Sequence, residues 1–183
     1  HAVEAYIGRS NTRETKARAE QAVGLIFGNI ERAYAKGDDL EARSNMLLAS
    51  YYAGFAFTRA YVGYVHAIAH QLGGLYGVPH GLANAVILPY VLDFFGEAAS
   101  IPLARLADVA GVGAGHADAR AKAGAFVAAI RGLNERMGIP VGFSQIKEED
   151  IGLIVRRAFR EAHPLYPVPR IMTREEGEAL VRS

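Results

Sequence analysis

Three histidines fall within one fifteen-residue window of the sequence, at His66, His70 and His80. The whole chain holds six histidines, so half of them lie in this window. On a helix, a four-residue separation places His66 and His70 on one face, about 40° apart around the axis and with Cβ atoms roughly 6 Å apart. Imidazole is the commonest metal ligand among protein side chains. The window therefore predicts a site at which several imidazoles converge on one metal ion.

The glycines at 73–77 are expected to break the helix and let the chain turn back, so that His80 enters from a second element. His80 follows Pro79 and is expected in the first turn of the next helix. The helix dipole disfavours imidazolium there, which keeps the ring neutral and able to donate its lone pair to a metal. A buried group of imidazoles without a metal or an acidic partner would be costly to keep.

Other chemistries fit the window less well. The run Gly73-Gly74-Leu75-Tyr76-Gly77 follows a helix rather than a strand and lacks the G-x-G-x-x-G order of a phosphate loop. A zincin motif needs Glu directly after the first histidine, where this chain has Ala67. No G-x-S-x-G is present for a serine nucleophile. His116 and His163 stand next to predicted helix ends, so we expect surface or capping roles for them and no chemistry.

The composition narrows the class of protein. A chain of 183 residues with half of them hydrophobic predicts a single folded domain. Twenty Lys and Arg against nineteen Asp and Glu leave no basic excess for a nucleic-acid backbone. The absence of cysteine excludes disulfides and thiolate sites and fits a cytoplasmic protein. The apolar stretch from Met46 to Thr58 is too short to span a bilayer, and we expect no membrane partner.

Helical periodicity dominates the chain, and it predicts an all-α bundle. Ser10-Asn11 with Glu14 is expected to cap the first long helix. The helix after it is apolar almost all round and is expected to be the buried central one. The proline-containing stretch His163–Arg170 is expected to be an extended surface connector. The predicted helices cover Ser10 to about Lys36, Asp38 to about Tyr61, the His66–His70 segment, a segment from near His80 that Pro89 kinks, 100–110, 117–137, 147–161, and a last short one opened by Thr173.

Three segments together resemble the iron-containing (group III) alcohol dehydrogenases. They are Ala53-Gly54-Phe55-Ala56-Phe57, Val65 to Gly74 around His66 and His70, and Pro79 to Pro89 around His80. The opening His1-Ala-Val-Glu-Ala-Tyr is similar to the family's first metal motif, D-x-x-x-H-A-x-E. The resemblance extends to Pro167-Val168-Pro169-Arg170 and covers the family's helical C-terminal domain, which shares its fold with dehydroquinate synthase.

The resemblance implies a role for each of these residues. His1, His66 and His80 would be metal ligands, and the fourth ligand, an aspartate, would fall four residues before His1. His70 would not be a ligand but would lie beside the nicotinamide and the substrate and relay protons. Phe57 matches an aromatic residue that often borders the substrate pocket, although an ordinary core position explains it equally well.

The implied function is that of an NAD(P)-dependent dehydrogenase that interconverts a primary alcohol and an aldehyde at Fe²⁺, with Zn²⁺ as the other ion that suits the ligands. The alternatives are a zinc polyol (glycerol-type) dehydrogenase on the same fold, or a non-catalytic helical domain that keeps the histidines as packing. We expect residues 1–183 to be one helical metal-binding domain, inactive alone and cut from a longer protein. Its partners would be a missing N-terminal nucleotide-binding domain, a small alcohol or aldehyde, and further copies in a homo-oligomer.

Overall fold

The computed structural model describes residues 1–183 and contains helices and no strand, which confirms the all-α class. Nine α-helices follow one another, with one 3-10 turn at Gly96–Ala99 between the fifth and sixth. The helices are α1 (Ala2–Ile7), α2 (Arg13–Ala35), α3 (Leu40–Ala60), α4 (Tyr64–Tyr76), α5 (His80–Phe95), α6 (Ser100–Val109), α7 (Ala119–Arg136), α8 (Glu148–Ala162) and α9 (Arg174–Arg182).

The caps at the helix N-termini explain most of these boundaries. Asp39 caps α3 by accepting from the amide of Ala42, and Thr173 opens α9 with a capping box. The cap of α2 differs from the prediction, since Thr12 and Thr15 form its capping box. Asn11 instead donates to the carbonyls of Tyr6 and Gly8 and so closes the end of α1.

Helix α3 is not the buried central helix that its composition predicts. Its large side chains Leu47 and Tyr51 are 75% and 65% exposed. The small side chains turn inward instead and let the backbone of α3 approach α2 closely. The helix that is buried along most of its length is α4. The buried stripe of α3 consists of Ala42, Ala49, Ala53, Ala56 and Ala60.

The turn between α4 and α5 is sharper than the glycine run suggests. Gly73 and Gly74 lie inside α4 rather than breaking it. Gly77 alone makes the turn, with φ of 66° in the left-handed region that favours glycine. Helix α5 then begins at His80, as predicted, and carries Pro89 inside it.

The run His80–Val109 is long and apolar enough to cross a membrane, by length and composition alone. It consists of α5, the 3-10 turn and α6, and half of its most apolar window is buried inside the bundle, as in the core helix of a globular protein.

The connector His163–Arg170 is non-helical, as predicted, but it is not wholly on the surface, because Val168 and Pro169 are buried.

Candidate metal centre

Three imidazoles, each at the N-terminal end of a helix, converge on one place in the bundle. His1 precedes α1, His66 lies in the first turn of α4, and His80 is the first residue of α5. One ring nitrogen from each lies within 4.8 Å of those of the other two. His66 is buried, whereas His1 and His80 are exposed. The cluster therefore has a buried floor and an open side.

Glu4 fixes the orientation of His66. Its Oε2 accepts from Nδ1 of His66 at 2.6 Å, and its Oε1 accepts from the amide of Val65 at 2.9 Å. An ionised carboxylate only accepts, so Nδ1 of His66 carries the proton and Nε2 keeps its lone pair for a metal. A carboxylate behind a ligating imidazole is the usual supporting arrangement at metal sites. Glu4 also occupies the N-terminus of α4, where the helix dipole favours a negative charge.

The pKa values around the cluster suit a cation at its centre. Burial by itself raises the pKa of the Glu4 carboxyl, but the hydrogen bond from His66, together with the charge that this ring carries when it is protonated, outweighs burial, and the net pKa lies below its ordinary value. Partial desolvation, and then the neighbouring His66 and His70, lower the pKa of His80. A neutral His80 and an ionised Glu4 are the protonation states that a divalent metal requires.

The cluster fits the chemistry of a small transition-metal ion. Metal–imidazole bonds of about 2.0–2.1 Å place ligating nitrogens roughly 3.4 Å apart in a tetrahedron, so the three rings need only a modest contraction around an ion. Nitrogen ligands of this kind suit Fe²⁺ and Zn²⁺. Three protein nitrogens leave at least one coordination position open.

His70 lies one turn along α4 from His66, at the edge of the cluster rather than within it. Its ring centroid is 6.0 Å from that of His66 and 5.4 Å from that of His80. Its Nδ1 is hydrogen-bonded to Oε1 of Glu161 on α8, at 2.7 Å. His70 lies outside the group of three histidines whose ring nitrogens are within 4.8 Å of one another, and its role stays a prediction.

Phe57 lies beside the cluster on α3 and is half-buried. Its ring stacks on that of His1, with centroids 4.1 Å apart. A cavity of about 320 Å³ with mostly apolar walls runs between α2, α5 and α7. His1, His66 and His80 are among the residues that line it. The cluster thus contacts an aromatic ring and opens onto an apolar cavity.

Sequence comparison identifies the family. The profile of the Fe-containing alcohol dehydrogenase family, C-terminal, matches residues 1–183. The chain belongs to this family.

Relatives within the family align over the whole chain. It is 42% identical over 187 aligned positions to a 1,3-propanediol dehydrogenase of Klebsiella pneumoniae, covering 100% of this chain and 47% of that protein. It is 36% identical to an NAD-dependent methanol dehydrogenase of Bacillus methanolicus, covering 100% of this chain and 48% of that one. A crystal structure of a 1,3-propanediol oxidoreductase superposes with a TM-score of 0.94 at 40% identity, covering 100% of this chain and 48% of that one. The chain spans about half the length of these relatives.

Two carboxylates of the site were not singled out from the sequence. Glu4 stands within the family's first motif, three residues after His1, and that position was the available signal. Glu161 has no such signal, because it meets His70 from a helix 91 residues further along the chain. Only the packing of α8 against α4 brings the two together.

Proposed function

We propose that this chain is the metal-binding part of an NAD(P)-dependent alcohol dehydrogenase that interconverts a primary alcohol and an aldehyde. One observation carries the proposal: His1, His66 and His80 converge within 4.8 Å in a member of the Fe-containing alcohol dehydrogenase family. The buried Glu4 behind His66 supports it, because packing alone does not require a carboxylate on the far side of an imidazole.

The three histidines would hold Fe²⁺, or Zn²⁺ in its place, together with an aspartate supplied from outside this chain. Such an ion supplies Lewis-acid polarisation of the alcohol oxygen and lowers the pKa of the hydroxyl. Glu4 keeps His66 in the tautomer with Nε2 free, and Val65 and His66 in turn hold Glu4 in place. Phe57 would border the substrate and shield one side of the site from water.

His70 would relay the hydroxyl proton to solvent. It is close to the cluster yet exposed enough to exchange protons with water, with 42% of its side chain accessible. Histidine is the side chain most often used for general acid–base catalysis near neutral pH. An NAD(P) cofactor held by the N-terminal domain would supply the hydride acceptor.

The remaining partners belong to a second half of the protein. Relatives of about twice this length include enzymes named for 1,3-propanediol and for NAD-dependent methanol oxidation, and these names favour a small alcohol as the substrate. We propose that an N-terminal domain binds NAD or NADP, and that the complete protein is a cytoplasmic homo-oligomer.

Substitution of the histidines in the full-length protein tests this function. His66→Ala and His80→Ala should each reduce the metal content, measured by plasma emission spectrometry, to background and abolish alcohol oxidation, because each removes a ligand. His70→Ala should keep the metal and lower kcat by roughly 100-fold, a typical contribution of proton transfer by a positioned group. His116→Ala, at an exposed histidine far along the chain, is the matched control and should change neither.

Two results would contradict the proposal. A wild-type protein that retains no metal and oxidises no alcohol would favour a non-catalytic domain in which the histidines serve as packing. Loss of the metal in His70→Ala would show that the assignment of ligands and relay is wrong.

A further inference from the structure

We propose that Glu161 is the positioning residue for His70: it holds the imidazole with Nδ1 protonated and leaves Nε2 free as the nitrogen that exchanges the proton. This inference rests on the proposed function, in which His70 is the relay. It assigns a role to a residue of α8, a helix that contributes nothing to the histidine cluster itself.

The Glu161 carboxylate is surrounded by hydrogen-bond donors. Oε1 lies 2.7 Å from Nδ1 of His70 and accepts from the Tyr166 hydroxyl at 2.9 Å. Oε2 accepts from Nε2 of Gln71 at 3.2 Å. With both oxygens engaged, the carboxylate has little rotational freedom. It therefore selects the tautomer of His70 that is protonated at Nδ1.

The pair repeats, one turn along α4, the arrangement that holds His66. In both cases a carboxylate from a distant helix binds Nδ1 and leaves Nε2 free. The two pairs differ in burial, since the His66 and Glu4 side chains are 5% and 4% exposed, against 42% and 28% for His70 and Glu161. The exposure of His70 and Glu161 suits a group that must exchange protons with water.

The connector after α8 completes the arrangement. Tyr166 lies in the non-helical stretch that follows α8, where its amide donates to the carbonyl of Ala162 at 2.7 Å. Burial, and then the hydrogen bond to Glu161, raise the pKa of the Tyr166 hydroxyl, so it stays protonated and continues to donate. The connector thus supplies a hydrogen bond to the carboxylate that holds the relay histidine.

The test compares Glu161→Ala and Glu161→Gln with wild type in the full-length enzyme. We expect kcat to fall about 10- to 100-fold in Glu161→Ala, the usual cost of removing such a supporting carboxylate. We expect the KM for the alcohol to change by no more than about threefold, because uniform substrate binding is untouched. The metal content should be unchanged. Glu161→Gln keeps the side-chain volume and should give an intermediate loss, because its amide both accepts and donates and so does not select one tautomer.

A spectroscopic readout makes the test independent of turnover. In zinc-substituted protein labelled with ¹⁵N-histidine, His70 should show a protonated Nδ1 and an unprotonated Nε2 in wild type, and a mixture of tautomers in both variants. The matched control is Glu149→Gln, which removes an exposed carboxylate at the opposite end of the same helix and should change neither kcat nor the His70 signals.

The outcomes separate the two proposals. An unchanged kcat and unchanged His70 signals in Glu161→Ala would overturn the positioning role. If Glu161→Ala loses both the metal and turnover, the positioning role is also overturned, because Glu161 would then support the metal site itself. A wild-type protein without metal or turnover would refute the proposed function, and the His70 signals would still decide whether Glu161 sets the tautomer.

Discussion

Tyr6 joins three helices through a single carboxylate. Its hydroxyl donates to Oε1 of Glu20 at 2.8 Å, and Arg105 on α6 binds both oxygens of the same carboxylate at 3.0 and 2.9 Å. Burial, and then the hydrogen bond to Glu20, raise the pKa of Tyr6 to about 12. The phenol is one of the links that keep α1, and with it His1 and Glu4, against the rest of the bundle.

This raised pKa predicts how stability depends on alkaline pH. An unfolded tyrosine ionises near pH 10, whereas Tyr6 in the folded protein stays protonated to about pH 12. A group whose pKa is raised by folding stabilises fully below its unfolded pKa, and this stability is lost as the pH rises through the window from about 10 to about 12. The midpoint of urea unfolding should therefore decline across this window.

Tyr6→Phe should lower stability at neutral pH by about 1 kcal/mol, through the lost hydrogen bond, and should make the alkaline decline shallower. Urea unfolding followed by circular dichroism measures both effects, at neutral pH for the loss of stability and from below pH 10 to about pH 12 for the decline, because this range spans the unfolded and folded pKa values of Tyr6. The control is Tyr51→Phe, at a side chain that is 65% exposed, which should leave the decline as in wild type. Equal slopes for Tyr6→Phe and wild type would contradict the prediction.

The histidines of the site could be predicted from the sequence, and their supporting carboxylates could not. His66 and His80 lie in a local window, and a motif marks His1, so spacing and resemblance suffice to select them. The bond of Glu4 to His66 spans 62 positions, and that of Glu161 to His70 spans 91. Such pairings depend on which helices pack together, and helical periodicity carries no information about that choice.

Among the elements, the junction before α4 has the tightest steric constraint near the site. Gly63 is the N-cap of α4 and has no side chain to cap the helix, so the carboxylate of Glu4 takes that place. A Cβ at position 63 would lie 2.7 Å from Oε1 of Glu4. Glu4 cannot move aside freely, because Val65 and His66 hold both of its oxygens.

Gly63→Ala should therefore displace Glu4 and weaken the metal site from outside the ligand set. We expect metal affinity in the full-length protein to fall about 10-fold or more, since that is the usual effect of disturbing a supporting carboxylate. Competition with a chromophoric chelator measures it. Gly28→Ala is the control, because a Cβ there meets nothing within 4 Å and should stabilise α2 by up to about 1 kcal/mol. Unchanged affinity in Gly63→Ala would show that Glu4 is not needed in its present position.

The helices themselves were predictable because caps and periodicity are local. The ends of α6, α7 and α8 lie within a few residues of the predicted bounds. The burial of α3 was not predictable in this way, because a helix with apolar residues on every side offers several faces. The face of small residues packs inward, because alanine side chains let α3 approach α2 closely, and the larger Leu47 and Tyr51 point to solvent.

At the scale of the whole molecule, the proposed function divides the metal centre between this chain and a further part of the protein. The chain spans about half the length of its relatives and contributes three converging imidazoles. An ion held by three ligands on an open surface is bound less tightly than one held by a complete set, and the proposed function assigns the nicotinamide to an N-terminal domain.

Residues 1–183 alone should therefore bind Zn²⁺ more weakly than the full-length protein and should not reduce NAD⁺ with any alcohol. Titration calorimetry with Zn²⁺ measures the first effect, and absorbance of NADH measures the second. Addition of the separately produced N-terminal half should restore part of the activity if the two halves associate. Robust turnover by residues 1–183 alone would contradict the prediction that catalysis needs the second domain.

Helix α4 carries two histidines one turn apart, one bound to the buried Glu4 and the other to the partly exposed Glu161. The two carboxylates therefore differ in what a substitution should cost. A change at Glu4 disturbs a group that is 4% exposed and holds two donors, so it should lower stability as well as metal affinity. A change at Glu161 lies nearer to solvent and should leave the fold intact. Under the proposed function, α8 is therefore the place at which the rate of turnover can be engineered without loss of the ion.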